Sequence, residues 1–165
     1  MRFKLMCICA ILAMAAASAS AQTTYNLAGK CGKPNVQSIP AGDKDGHVFL
    51  VQQGNCEATA GDIEGAKPTS GVFAEHGEAT ATRSKAWGLY VQTYDSGDKV
   101  YYSYQTTATM KDGMIVSGGN KWQMTGTGKM KGIKGSGTCK LTGEADGGVN
   151  FDCTGEYTKA AAPAK

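Results

Sequence analysis

Apolar and polar side chains alternate along much of this chain, most clearly near the C-terminus. Residues 149–157 alternate with the period of two that is typical of a β-strand with one buried face. A short loop at residues 145–147 would fold this segment back onto residues 135–143, which sets Cys139 opposite Cys153. The pattern therefore predicts a β-hairpin whose two cysteines are close enough for a disulfide.

The same period continues through the middle of the chain. Residues 100–110 alternate, Asp112-Gly113 offers a tight hairpin turn, and Trp122 and Met124 then continue on the same parity. No apolar segment keeps a helical period for three turns. The pattern predicts eight strands, at residues 47–53, 55–60, 77–83, 86–94, 99–110, 114–125, 135–143 and 148–157.

One apolar face is predicted to be shared by most of these strands. A two-residue turn at residues 96–97 would pair Val91 with Tyr102, so that the apolar residues of both strands lie on the same face of the sheet. The predicted inward residues, none of them a carboxylate or an imidazole, are Trp87, Leu89, Val91, Tyr102, Tyr104, Trp122, Met124, Leu141, Phe151 and Tyr157. The strand charges fall on the outward parity, with Arg83 expected at the rim.

Short antiparallel strands joined by glycine-containing turns predict an all-β protein, a single eight-stranded antiparallel barrel stapled by disulfides. We expect the barrel at residues 46–158 and an irregular N-terminal arm at 22–45. Residues 61–73 are expected to form a loop, and residues 159–165 a disordered tail.

The first residues predict export. Arg2 and Lys4 precede an apolar run at 5–17 and small residues at 19–21, the layout of a secretory signal peptide covering 1–21. The run is shorter than the roughly 20 residues that span a bilayer. We therefore expect a periplasmic or secreted protein without a transmembrane segment in its mature chain.

Four cysteines follow this segment: Cys31, Cys56, Cys139 and Cys153. An even number in an exported chain favours two disulfides over metal ligation. Three pairings are possible. The predicted hairpin favours Cys139–Cys153, which leaves Cys31–Cys56. No cysteine pair has the short spacing of a zinc site, so no metal site is predicted.

Charge and motifs exclude several functions. The net charge of +3 is small and falls further once the signal is removed, which gives no indication of a nucleic-acid partner. The glycine-rich run at 125–138 lacks the spacing of a phosphate loop, and Ser136 lacks the glycine before a nucleophile elbow. His47 and His76 are expected at the rim or surface. No catalytic residue or cofactor is predicted.

Four inward aromatic residues are the candidate ligand-binding residues: Trp87, Tyr102, Tyr104 and Trp122. They would line a pocket for a small apolar ligand, or alternatively fill the core, as large aromatics commonly do. Tyr90, Tyr94 and Tyr101 are predicted on the outer face, where they would contact a partner or stabilise neighbouring strands.

The run at residues 125–138, which begins Thr-Gly-Thr-Gly-Lys, resembles a signature of small secreted bacterial barrels of unassigned role. It is also similar to the Gly-Thr-Gly-Lys-Phe segment of the allene oxide cyclase and dirigent barrel superfamily. The first resemblance extends over residues 40–157, with further similar segments at 46–49, 98–102 and 155–157. It implies a lipocalin-like or allene oxide cyclase-like barrel. No catalytic residue of that superfamily matches a position here.

Three functions follow as hypotheses. The first is a non-enzymatic binding module for a small apolar ligand, which requires unfilled volume inside the barrel. The second is a cyclase- or isomerase-like enzyme, which requires a titratable group that reaches inward. The third is a structural or inhibitory envelope protein that acts through its outer surface. The oligomeric state is left open.

Overall fold

The structure is a computed structural model and describes residues 22–160. Nine β-strands make up most of these residues, and one 3₁₀ turn lies at Gly128–Met130. The strands are β1 (Thr23–Cys31), β2 (Asn35–Pro40), β3 (Val48–Ala60), β4 (Pro68–Ala79), β5 (Arg83–Tyr94), β6 (Lys99–Lys111), β7 (Met114–Gly126), β8 (Ile133–Gly143) and β9 (Val149–Lys159).

The strands form one closed antiparallel barrel. From β3 to β9 each strand pairs with the next in the sequence, and β1 pairs with both β9 and β3. This closure makes eight barrel strands and confirms the predicted all-β, eight-stranded antiparallel barrel. The ninth strand, β2, continues from β1 along the same edge of β3 and pairs with its first half.

The N-terminal arm predicted at 22–45 is wrong, because this stretch contains β1 and β2. β1 alternates buried Tyr25 and Leu27 with exposed neighbours, a pattern too short to stand out in the sequence. The strands predicted at 47–53 and 55–60 are one strand, β3. The predicted loop at 61–73 is shorter, since β4 begins at Pro68.

At the ends of the chain, β9 continues to Lys159, one residue into the predicted tail. The rest of that tail, beyond residue 160, lies outside the described residues. The predicted signal peptide at residues 1–21 also lies outside them.

The predicted C-terminal hairpin is confirmed. β8 and β9 pair Cys139 with Cys153 and Leu141 with Phe151. Both predicted disulfides are present, Cys139–Cys153 within this hairpin and Cys31–Cys56 between β1 and β3. The second disulfide therefore lies where the barrel closes.

The turn between β6 and β7 is also as predicted. Lys111 pairs with Met114, which leaves Asp112 and Gly113 as the two loop residues. Their φ angles are 51° and 76°, the left-handed values that a type I′ hairpin turn requires.

Replacing Gly113 by alanine is expected to lower the free energy of unfolding by about 1 kcal/mol, because other residues reach positive φ only at that kind of cost. A Cβ at Gly113 would meet no atom within 4 Å, so the effect would come from the backbone alone. Gly32→Ala is the control, since Gly32 also has open space but no positive φ. Urea unfolding of both variants measures the difference; equal stabilities would contradict it.

The turn between β5 and β6 differs from the prediction. The loop has three residues, with the Tyr94 amide donating to the Asp98 carbonyl at 3.0 Å and the Gly97 amide donating to the Tyr94 carbonyl at 2.9 Å. Tyr102 consequently pairs with Tyr90, not Val91. One extra loop residue reverses the parity of the whole strand.

The inward and outward faces of β5 are therefore exchanged relative to the prediction. Tyr90, Gln92 and Tyr94 are buried. Trp87 and Leu89 lie on the outer face, 39% and 61% exposed. The predicted outer group of three tyrosines is wrong in the same way, since of the three only Tyr101 is exposed.

One end of the barrel is closed by apolar side chains. Ile63, Met130 and Ile133 are almost fully buried there, in the loops at 61–67 and 127–132 and at the start of β8. They belong to the same packed cluster as the inward aromatic residues. Ligand access at this end is blocked, so the opposite end decides what the barrel can hold.

Next to the apolar residues of this closed end lies a group of hydrogen-bonded tyrosines. The hydroxyl of Tyr25 lies 2.7 Å from that of Tyr102 and 3.3 Å from that of Tyr94. Tyr94 in turn donates to the Gly61 carbonyl at 3.2 Å. Burial raises the pKa of all three phenols, which keeps them neutral and able to donate.

Candidate ligand-binding site

A cavity of about 240 Å³ occupies the other half of the barrel. It reaches exposed residues at the end where the β6–β7 and β8–β9 hairpins and the β1–β2 connection lie, among them Gly32, Gly113 and Met114. Its walls are mainly apolar and aromatic. The barrel is thus neither filled nor a through channel, but a cup with one open end.

Strand register places the polar residues of this cup in one row. Gln52 pairs with Glu75, and on the far side of β5 Tyr104 pairs with Trp122. Gly88 joins the two halves, since it pairs with both Glu75 and Tyr104. Four strands therefore present a carboxylate, an amide, a phenol and an indole along one row of paired residues.

Three glycine positions make room for the large rings of this row. A Cβ on Gly88 would lie 2.5 Å from the Tyr104 ring, so the ring lies directly over the glycine. A Cβ on Gly137 would lie 2.3 Å from the Trp122 indole, and one on Gly155 would lie 2.6 Å from it. Such approaches are possible only where no side chain is present.

Glu75 is the carboxylate of the cavity. It accepts a hydrogen bond from the Tyr104 hydroxyl at 2.8 Å and a short one from the Gln52 amide. Burial raises the pKa of Tyr104, and the charge of Glu75 raises it further, so Tyr104 acts as a donor. The expectation that the inward face carries no acid or base is therefore wrong.

The sequence held a signal for Glu75 that we missed. Gly71, Phe73, Glu75 and Gly77 share one parity and face inward in β4. Their outward neighbours include Val72, so the outward residues resemble an apolar face more than the inward row of glycines and Glu75 does. Placing a loop at 61–73 also hid the alternation.

Two buried polar atoms along the cavity have no hydrogen-bond partner among the described residues: Asn120 Oδ1 and Trp122 Nε1. Both residues line the cavity. Unpartnered buried polar atoms are uncommon and costly in folded proteins. A ligand that accepts from the indole and donates to the amide oxygen would satisfy both.

The structure brings three of the four predicted ligand-binding residues to the cavity. Tyr102, Tyr104 and Trp122 line it. Trp87 does not. It lies outside, stacked on His76 with ring centroids 6.0 Å apart and with the Lys85 ammonium 4.7 Å from its ring. The reversed parity of β5 explains this displacement.

Both histidines lie away from the polar row. His47 Nδ1 is 2.5 Å from Asp43 Oδ1, and its Nε2 is 3.4 Å from Glu78 Oε2. The hydrogen bond with His47 lowers the pKa of Asp43. His76 is exposed on the outer face. Neither imidazole lines the cavity, whereas the carboxylate of Glu75 does.

Comparisons with known proteins add no family to this picture. No family model matches the chain, and no curated protein matches it significantly. The resemblance to secreted bacterial barrels and to the allene oxide cyclase and dirigent superfamily therefore stays a prediction. Within residues 22–160, no helix is long and apolar enough to cross a membrane. The same residues contain no group of three or more potential metal ligands.

Proposed function

We propose that this protein is a non-enzymatic binding module that holds one small, largely apolar ligand in the open cup of its barrel. The observation that supports this most is the cavity of about 240 Å³, closed at one end and lined by aromatic residues. Concave, mostly apolar sites with a few polar groups are typical of small-molecule binding. Trp122 Nε1 and Asn120 Oδ1 would fix the ligand's orientation.

The two disulfides support a place of action outside the cytoplasm. We propose a periplasmic or secreted location, in line with the signal peptide predicted from the sequence. Small ligands exchanged with the surroundings would reach the open end of the barrel there.

The two tryptophans offer a direct test with small aromatic alcohols. Titration with 2-phenylethanol or benzyl alcohol is expected to shift the indole N–H resonance of Trp122, because the alcohol oxygen would accept its hydrogen bond. The Trp87 resonance, on the outer face, should not move and serves as the internal control. The readout is a ¹H–¹⁵N NMR spectrum; no movement of the Trp122 resonance with either alcohol would refute the proposal.

The Trp122→Phe variant would sharpen this test. It keeps an aromatic ring but removes the N–H group, so we expect affinity for the alcohol to fall by about 2- to 10-fold, the range of one neutral hydrogen bond. Trp87→Phe should leave the affinity unchanged, and equal losses in the two variants would contradict the assignment.

Acid–base catalysis at the same site is the second candidate. Glu75 beside Tyr104 is the inward titratable group that a cyclase- or isomerase-like enzyme needs. Both functions require that a ligand binds in the cup. The titration above therefore tests the step that both functions share.

A further inference from the structure

We infer that the natural ligand of this cup is a small organic cation, an ammonium group on a largely apolar body that also carries a hydrogen-bond acceptor for Trp122 Nε1, with Glu75 as its counter-ion. The inference rests on the proposed function and specifies its ligand class. It depends on the charge and hydrogen bonding of Glu75 and on the rings around it.

The two hydrogen bonds of Glu75 fit an ionised carboxylate. One oxygen accepts from Tyr104 and the other from Gln52, so both act as acceptors. A carboxylate has about four acceptor positions, which leaves capacity for further donors. Neither existing donor carries a charge. The negative charge of Glu75 is therefore hydrogen-bonded but not neutralised.

No cation among the described residues forms an ion pair with Glu75. The basic residue that lines the cavity, Lys33, is exposed at its open end. A half-buried carboxylate without a basic partner is unfavourable, and a cationic ligand would remove that penalty.

The surrounding rings suit the same ligand. Tyr104 and Trp122 stand in the row of Glu75, and Phe73, Tyr90 and Tyr102 line the cavity beside them. Aromatic faces attract ammonium groups, most strongly where water is excluded. The unpartnered Asn120 Oδ1 adds one more acceptor for an N–H donor. The cup thus offers a carboxylate and ring faces to a positive charge, and the amide oxygen of Asn120 to an N–H donor of the ligand.

Two probes of nearly equal shape separate charge from shape. Binding of 2-phenylethylamine, a cation at neutral pH, is compared with that of 2-phenylethanol by isothermal titration calorimetry at pH 7. We expect the amine to bind at least about tenfold more tightly, as a charge-assisted hydrogen bond and cation–π contacts would give. Equal affinities would overturn the cation inference and leave the proposed binding function intact. No binding of either probe would overturn both.

Glu75→Gln then tests the counter-ion. The amide keeps the shape and an acceptor oxygen but removes the charge, so the preference for the amine should fall to about twofold or less. Glu57→Gln is the matched control, because it removes the same charge from an exposed position on β3. An unchanged preference in Glu75→Gln would show that another group recognises the cation. The wild-type comparison decides the ligand class even if Glu75→Gln is poorly folded.

Discussion

The free energy of unfolding is expected to fall steeply above about pH 10, because buried tyrosines must stay protonated in the folded barrel. Burial raises the pKa of five phenols above the ordinary value near 10. They are Tyr25, Tyr90, Tyr94, Tyr102 and Tyr104. Above pH 10 the unfolded chain releases these protons while the folded chain retains them, so rising pH favours unfolding.

The expected effect is large because several groups act together. Each phenol that stays protonated only in the folded state contributes up to about 1.4 kcal/mol per pH unit. Five such groups would consume a typical stability of about 5–15 kcal/mol within roughly two pH units. Below pH 10 the same groups are protonated in both states, and stability should not depend on them.

Absorbance at 295 nm and far-ultraviolet circular dichroism, recorded together from pH 9 to 12.5, measure this effect. Most of the phenolate signal should appear only as the strand signal is lost, and both should recover on return to pH 8. Tyr94→Phe removes one buried phenol and should reduce the slope of stability against pH by up to about 1.4 kcal/mol per unit. Complete ionisation of the tyrosines in a folded barrel would contradict the prediction.

Trp122→Ala is expected to lower the free energy of unfolding by about 3–5 kcal/mol, the range for a large aromatic in a packed core. Trp122 is 4% exposed, and its ring lies against the glycines of β8 and β9. Its removal would leave a void lined by Tyr25 and Tyr102, whose rings meet the indole edge-on at 5.9 and 5.7 Å.

Trp87→Ala provides the control for this substitution. Trp87 is an indole of the same size on the outer face, where a loss of about 1 kcal/mol or less is expected. Urea unfolding of both variants gives the two values. The sequence pattern predicted both tryptophans inside the barrel. Similar losses in the two variants would therefore favour the predicted β5 register, with Trp87 inward, and contradict the structure.

Much of the fold could be predicted because it depends on neighbouring residues. The β8–β9 hairpin, its disulfide and the Asp112-Gly113 turn each need only local alternation and a short loop. The inward positions of Tyr102, Tyr104 and Trp122 followed from the same alternation across one tight turn. With two cysteines placed by the hairpin, elimination gave the pairing of the other two.

The candidate site was only partly predictable. Three of its aromatic residues were found, but Glu75, Gln52 and Asn120 were not. In β4 and β5 the inward row combines glycine with aromatic or polar residues, while the outward row includes Val72 and Leu89. The rule that the more apolar face is buried therefore pointed the wrong way in β5, while part of the inward row of β4 lay in the predicted loop at 61–73.

By itself, the sequence determined the strand class, the β6–β7 and β8–β9 turns and the disulfide partners, since these depend on side-chain period and chain proximity. Tertiary structure alone decided the facing of β5 and the closure by β1. The loop after β5 has one residue more than a two-residue turn, which exchanges the two faces of that strand. Glycines in the paired strands then leave room for the rings of Tyr104 and Trp122. This packing joins segments that are distant in the sequence, and it forms the cup around Glu75.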